Sequence, residues 1–158
     1  MADARFRDAD DQPLRLKALD AEDIPVLSAL LQDAVLPSSE MSWMPGKRRL
    51  IALVNRFRWE DRSRAEAEGR AFERVQSLLQ IDGVLRVRSN GIDPTDRDLV
   101  FVILNIEFEA GADGTGTLRL TFSGDGTVAA EVECLDLTLR DVSRPYTAPS
   151  GKAPDHEV

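Results

Sequence analysis

The sequence predicts a mainly β (α+β) domain: an antiparallel meander of about seven to eight strands, curled into a barrel-like or two-layer sheet, with one N-terminal amphipathic helix packed on it. Three observations carry this. Short runs of alternating apolar and polar residues recur from Arg48 to Val142, turn signals rich in Gly and Asp separate them, and only the stretch after Asp20 has clear helical spacing. At 158 residues the chain is long enough to bury a core without disulfides or metal. Residues 1–12 read as a disordered lead-in, 13–142 as a single β-rich domain, and 143–158, rich in Pro, Ser and Gly, as a flexible tail.

In order, Leu14, Leu16 and Leu19 suggest a short first strand. Asp20 or Asp23 can then cap a helix, with Pro25 favouring Asp23 because it would take the second helical position, and Ile24, Leu27, Leu30, Leu31 and Ala34 form one apolar stripe. The stretch 35–39 breaks that helix. Met41 and Trp43 alternate with polar neighbours, and Pro45-Gly46 turns the chain, so residues 40–44 should form a hairpin with the strand that follows.

That strand, Arg48 to Trp59, is the expected centre of the fold. Alternation puts Ile51, Leu53, Asn55, Phe57 and Trp59 on one face and Leu50, Ala52, Val54, Arg56 and Arg58 on the other. The first face stays apolar to its end, which assigns it to the core and sends the arginines outward. Residues 60–70 lack a large apolar side chain and read as a solvated loop. Residues 71–81 fit either a helix stripe or strand alternation; Asp82-Gly83, a hairpin signal, favours a strand from about Glu73, followed by one over 84–90.

Asn90-Gly91 and the Asp93/Asp96/Asp98 loop lead into Leu99 to Phe108, the most apolar run, buried on both faces at its start. Leu118, Leu120 and Phe122 alternate on the next strand. In the last, Val128, Ala130, Val132 and Cys134 are apolar in one phase and Leu135, Leu137 and Leu139 in the other. A strand cannot swap faces without an extra residue, so a bulge near Cys134-Leu135 or a crossing between two packing layers is required.

The formal net charge of −8 argues against a nucleic-acid binder, because counterion release needs many cations and the whole-molecule field is repulsive. The charge is uneven: residues 1–46 carry 4 basic and 9 acidic side chains, 47–90 carry 11 and 6, and 91–158 carry 5 and 13. Side-by-side basic and acidic strands that neutralise each other explain this most simply. No apolar run approaches the roughly 20 residues of a membrane helix, Met1 to Asp11 lacks the apolar core of a signal peptide, and the lone Cys134 fits a reducing compartment, so a cytoplasmic location is expected.

Candidate chemistry is sparse. The one histidine, His156, sits in the expected tail, which removes Ser-His-Asp and multi-histidine metal chemistry unless the tail folds back. Cys134 has the pattern of a buried, inert thiol. Glu107/Glu109 and Glu131/Glu133 each place two carboxylates on one strand face; on neighbouring strands the four could build a metal or acid/base site, and otherwise they are a solvent face paired with arginines such as Arg119. The 111–116 glycine-rich segment lacks a following Lys-Ser/Thr and is a hairpin turn, not a phosphate loop.

The arginines remain. Arg56 and Arg58, and Arg86 and Arg88, each point to one face at period two, and if their strands are neighbours four guanidiniums gather to grip a carboxylate or phosphate. Asn55 joins them as a polar amide on an otherwise apolar face that must find hydrogen bonds.

The blocks LDAEDIPVLSALLQDAV (19–35), LVNRFRWE (53–60), RVQSLLQIDGVLRVRSNGID (74–93) and LRLTFSGDGTVAAEVECLDLTLRDV (118–142) resemble, in order, the small alphaproteobacterial proteins grouped as domain of unknown function 2948 (DUF2948). The resemblance covers roughly residues 14–145 and implies a stand-alone cytoplasmic bacterial protein; it brings no activity or site residues. The expectation is a non-enzymatic binding or interaction module without a cofactor, presenting Arg56, Arg58, Arg86 and Arg88 to a protein or small anionic ligand. The alternative is a small metal-dependent or acid/base enzyme using Glu107, Glu109, Glu131 and Glu133. Oligomeric state has no signal in the sequence.

Overall fold

The computed structural model describes residues 12–93, 95–148 and 154. Among these the chain forms β1 (Arg15–Ala18), α1 (Ile24–Leu31), β2 (Val35–Pro37), β3 (Met41–Met44), β4 (Arg49–Phe57), α2 (Arg62–Glu68), β5 (Glu73–Ile81), β6 (Val84–Asn90), β7 (Val100–Ala110), β8 (Gly116–Phe122), β9 (Thr127–Val132), β10 (Leu137–Asp141) and β11 (Tyr146–Thr147). No helix among the described residues is long and apolar enough to cross a membrane.

All strand pairs are antiparallel. Their order is β1-β10-β5-β4-β2-β7-β8-β9-β6, with β3 added to β4 and β11 to β5. The end strands β1 and β6 do not pair with each other, so the sheet is open and the expected barrel does not close. Eleven strands replace the expected seven or eight. Two of the additions are short: β2, read from the sequence only as a helix break, bridges β4 and β7, and β11 pairs Tyr146 with Arg74. The segment 143–148, assigned to the tail, is therefore partly paired, while His156 lies outside the described residues.

The long sheet bends into two stretches around one core. β7 belongs to both: Val100 to Val102 pair with β2, and from Ile103 onward it pairs with β8. A register shift between Ile103 and Asn105 changes which side chains face inward, from Phe101 and Ile103 to Ile106. Ser28 of α1 accepts the Ile106 N–H at 3.0 Å just past the shift, so the bulge leaves no orphan donor there. Helix α1 buries Leu27 and Leu31 completely in the same cluster as Leu79, Leu120 and Leu137, and Phe101 stacks on Phe122 with centroids 4.8 Å apart.

Two corners join the stretches. The Asp82-Gly83 signal is not a hairpin: β5 already has β4 on one edge and β10 and β11 on the other, so β6 leaves it and pairs with β9. The chain makes the opposite crossing between β9 and β10, at residues 133–136, which is how the phase change at Cys134-Leu135 is resolved. The corners hold each other: Asp82 N–H donates to the Asp136 carbonyl and Glu133 N–H to the Gly83 carbonyl, both at 2.9 Å. Gly83 has φ +68, the left-handed region that glycine enters without steric cost. Cys134, expected to be buried, is exposed because it lies on this corner instead of within a strand.

Residues 60–70 are not a loop. A 3₁₀ turn, Trp59–Asp61, runs into α2, whose only buried side chain is Ala65 and which ends at Gly69 with φ +64. Ion pairs Arg62–Glu66 and Arg64–Glu68, each spaced i,i+4, take the place of an apolar stripe.

Candidate functional site

The four arginines do not gather. β4 and β6 lie far apart in the strand order, and over residues 50–56 the two faces of β4 are the reverse of the sequence expectation, while Phe57 is buried as expected. Leu50, Ala52, Val54 and Arg56 are buried, whereas Ile51, Leu53 and Asn55 on the outer face are only half-buried. Alternation defines two faces but not which one meets the second stretch of sheet.

Arg56 is wholly buried. Its guanidinium makes a bidentate pair with Glu60, at 2.8 and 2.7 Å, and reaches Asp141 on β10 at 3.0 Å. Its Nε donates to Ser77 Oγ at 3.0 Å. Asp141 also accepts from Ser77 Oγ at 2.7 Å and from Leu14 N–H at 2.9 Å. Burial works against the charge of Arg56, but Glu60 and Asp141 outweigh it and hold the guanidinium pKa above its ordinary value. Arg56 and Asp141 together thus tie β4, β5, β10 and the segment before β1.

Arg58, two residues further along, is also buried and donates to Glu73 at 2.7 Å, with Asp61 3.7 Å away. Arg70 completes the cluster with a bidentate grip on Asp61 at 3.0 and 3.2 Å. Burial pushes the Asp61 carboxyl up, and the hydrogen bonds from Arg70 with the charges of Arg58 and Arg70 bring it below the usual carboxylate range. A cavity of about 110 Å³ lies beside Arg58, Asp141 and Arg144. Asn55 finds its hydrogen bond within the fold, accepting from the Tyr146 hydroxyl at 3.0 Å.

Arg86 and Arg88 do face solvent, on β6. Arg88 pairs with Glu131 of β9 at 3.0 Å, while Arg86 has no ion pair among the described residues. The carboxylate pairs are separated: Glu107 and Glu109 are on β7, Glu131 is on β9, and β8 with Arg119 runs between them. Arg119 lies 3.6 Å from Glu109, and Arg48 pairs with Glu133 at 3.2 Å. No group of three potential metal ligands converges among the described residues.

The structure offers instead a cleft that no sequence motif marked. It has a volume of about 240 Å³ and lies between Met41 and Trp43 of β3, Leu50 of β4, and Val87 and Ser89 of β6, with Phe101 and Val128 as further walls. Ile92, Asp93, Asp96 and Arg97, from the described parts of the loop before β7, also line it. That loop is fastened to the 3₁₀ turn before β3, since Ser38 N–H donates to the Leu99 carbonyl at 2.8 Å and its Oγ to the Asp96 carbonyl at 3.2 Å. The acids are locally engaged: Asp93 accepts from Thr95 N–H and Oγ1, which lowers its pKa, and Asp96 accepts from Asp98 N–H. Arg97 has no ion pair among the described residues.

The position of the cleft follows from the open sheet. Among the described residues β3 pairs only with β4, and β6 only with β9. They meet near the Asp82-Gly83 corner, where Val84 N–H donates to the Arg48 carbonyl at 2.9 Å, and the space between their inner faces is the cleft. In the sequence its one trace is the inward phase of Val87 and Ser89, opposite Arg86 and Arg88; its walls come from residues more than eighty positions apart.

A family model described as protein of unknown function (DUF2948) matches residues 14–156. No curated protein and no solved structure matches the chain.

Proposed function

The chain belongs to the DUF2948 family of proteins of unknown function, and on that premise we propose that it is a non-enzymatic binding module whose working surface is the cleft between β3 and β6. The observation that carries this reading is a mainly apolar hollow, lined also by polar side chains, at the unclosed seam of the sheet. Its volume, about 240 Å³, falls below the roughly 300–1,000 Å³ of drug-sized sites, so it suits a single ring or branched side chain better than a cofactor. Arg86 is the part of the arginine face that stays available to a ligand outside the cleft, since Arg56 and Arg58 are occupied in buried ion pairs and Arg88 pairs with Glu131. The exposed thiol of Cys134 fits a reducing compartment, which supports a cytoplasmic location. The enzyme alternative has less support, because Arg119 and Arg48 stand beside the carboxylates it would use.

The test is fluorescence. With Trp59→Phe, Trp43 is the sole tryptophan, and N-acetyl-4-bromophenylalanine amide should quench it saturably. Val87→Trp would confuse the emission, so Val87→Phe is the variant that fills the cleft and should leave only linear collisional quenching. Linear quenching in the unfilled protein would refute the reading.

A further inference from the structure

We propose that the free edge of β6 takes an extended peptide strand from a partner protein, with acidic side chains facing out and one apolar side chain filling the cleft; this rests on the cleft being a binding site. Among the described residues β6, Val84–Asn90, is hydrogen-bonded as a ladder only to β9; on its other edge Val84 N–H donates to the Arg48 carbonyl, and the edge from Arg86 onward pairs with no strand. A strand with one edge unpaired offers a row of backbone donors and acceptors that a second strand can complete.

β9 shows what such a strand must look like. It places Val128, Ala130 and Val132 inward and Glu131 outward, opposite Arg86 in register and 3.0 Å from Arg88. A strand on the other edge of β6 meets the same alternation: Val87 and Ser89 lead into the cleft, and Arg86 and Arg88 lie on the outer face. Arg86 is exposed and has no ion pair among the described residues, so it is ready for an outward carboxylate.

The same arginines argue against a second copy of this chain as the occupant. Antiparallel pairing of β6 with itself about Val87 would set Arg86 opposite Arg88 of the other copy twice over, and like charges directly opposite are destabilising. An acidic partner strand turns that repulsion into attraction. The single side chain that enters the cleft supplies specificity, as alternate pockets do when a strand is added to a sheet.

The probes are two alternating peptides, acetyl-Glu-Val-Glu-Phe-Glu-Val-Glu-amide and its lysine counterpart. The acidic peptide is expected to bind, to weaken as salt is raised, and to slow exchange of alternate β6 amides. Arg86→Glu, an exposed change that leaves the core untouched, should weaken the acidic peptide roughly tenfold and make the lysine peptide the better ligand. Equal binding of both peptides, or a preference unmoved by Arg86→Glu, overturns the proposal. So does a concentration-dependent dimer that Arg86→Glu abolishes. If neither peptide binds while saturable Trp43 quenching persists, the strand proposal fails and the cleft reading stands; if quenching is also absent, both fail.

Discussion

Arg56 of β4 and Asp141 of β10 meet at 3.0 Å with the guanidinium fully buried and the carboxylate nearly so. Two charges removed from water are tolerated because further hydrogen bonds satisfy them: Glu60 and Ser77 engage Arg56, and Ser77 and the Leu14 N–H engage Asp141. Arg56→Met should therefore cost about 3–5 kcal/mol in urea unfolding, since Asp141 is left buried without its cation. Adding Asp141→Leu should recover much of the loss. A single variant within about 1 kcal/mol of the parent would contradict this account of the clasp.

Acid should loosen the neighbouring cluster. The Asp61 carboxyl has a folded pKa below its unfolded value, so its stabilisation is present above roughly pH 4 and is lost as pH falls through the folded pKa. Unfolding free energy measured from pH 6 to pH 2 is expected to decline in that window. Asp61→Asn should be less stable at neutral pH and show a shallower decline; an unchanged slope would remove Asp61 from the acid response.

Gly116 opens β8 where a side chain has no room. A Cβ there would overlap the Phe108 ring and stand 2.6 Å from the Glu109 carbonyl oxygen. Gly116→Ala should destabilise the fold by about 1–3 kcal/mol through forced movement of β7 against β8, read as a lower denaturation midpoint with an unchanged slope.

The open seam predicts uneven hydrogen exchange. β5 is paired on both edges and should keep its amide protons longest, whereas alternate amides of β6, and those of β3, should exchange quickly. Uniform protection across β5 and β6 would mean that the seam is closed in solution.

Local pattern made most strands legible, including Glu73–Ile81, where the alternation of Val75, Ser77, Leu79 and Ile81 outweighed a competing helix stripe. Pairing was harder. Asp82-Gly83 has hairpin chemistry, yet β10 and β11 take the edge that β6 would need, a long-range competition that a dipeptide does not record. Arg56 has the pattern of a surface residue because its partners, Glu60, Ser77 and Asp141, become neighbours only in the fold, whereas Phe57 is buried as its face predicts. Helix α2 was hidden because it is held by Ala65 and i,i+4 ion pairs, although Arg62–Glu66 and Arg64–Glu68 were visible at that spacing. The cleft was out of reach for the same reason: Trp43, Val87 and Val128 share a wall only once the two stretches of sheet bend together.

The cleft is tested most directly by the amide spectrum of isotope-labelled protein titrated with N-acetyl-phenylalanine amide. Binding at the seam predicts saturable shifts at the Trp43 indole N–H and at the Val87, Ser89 and Ile92 amides, with little change on β10. Shifts confined to the cavity beside Arg58 and Arg144, or none at any probe concentration, would contradict it.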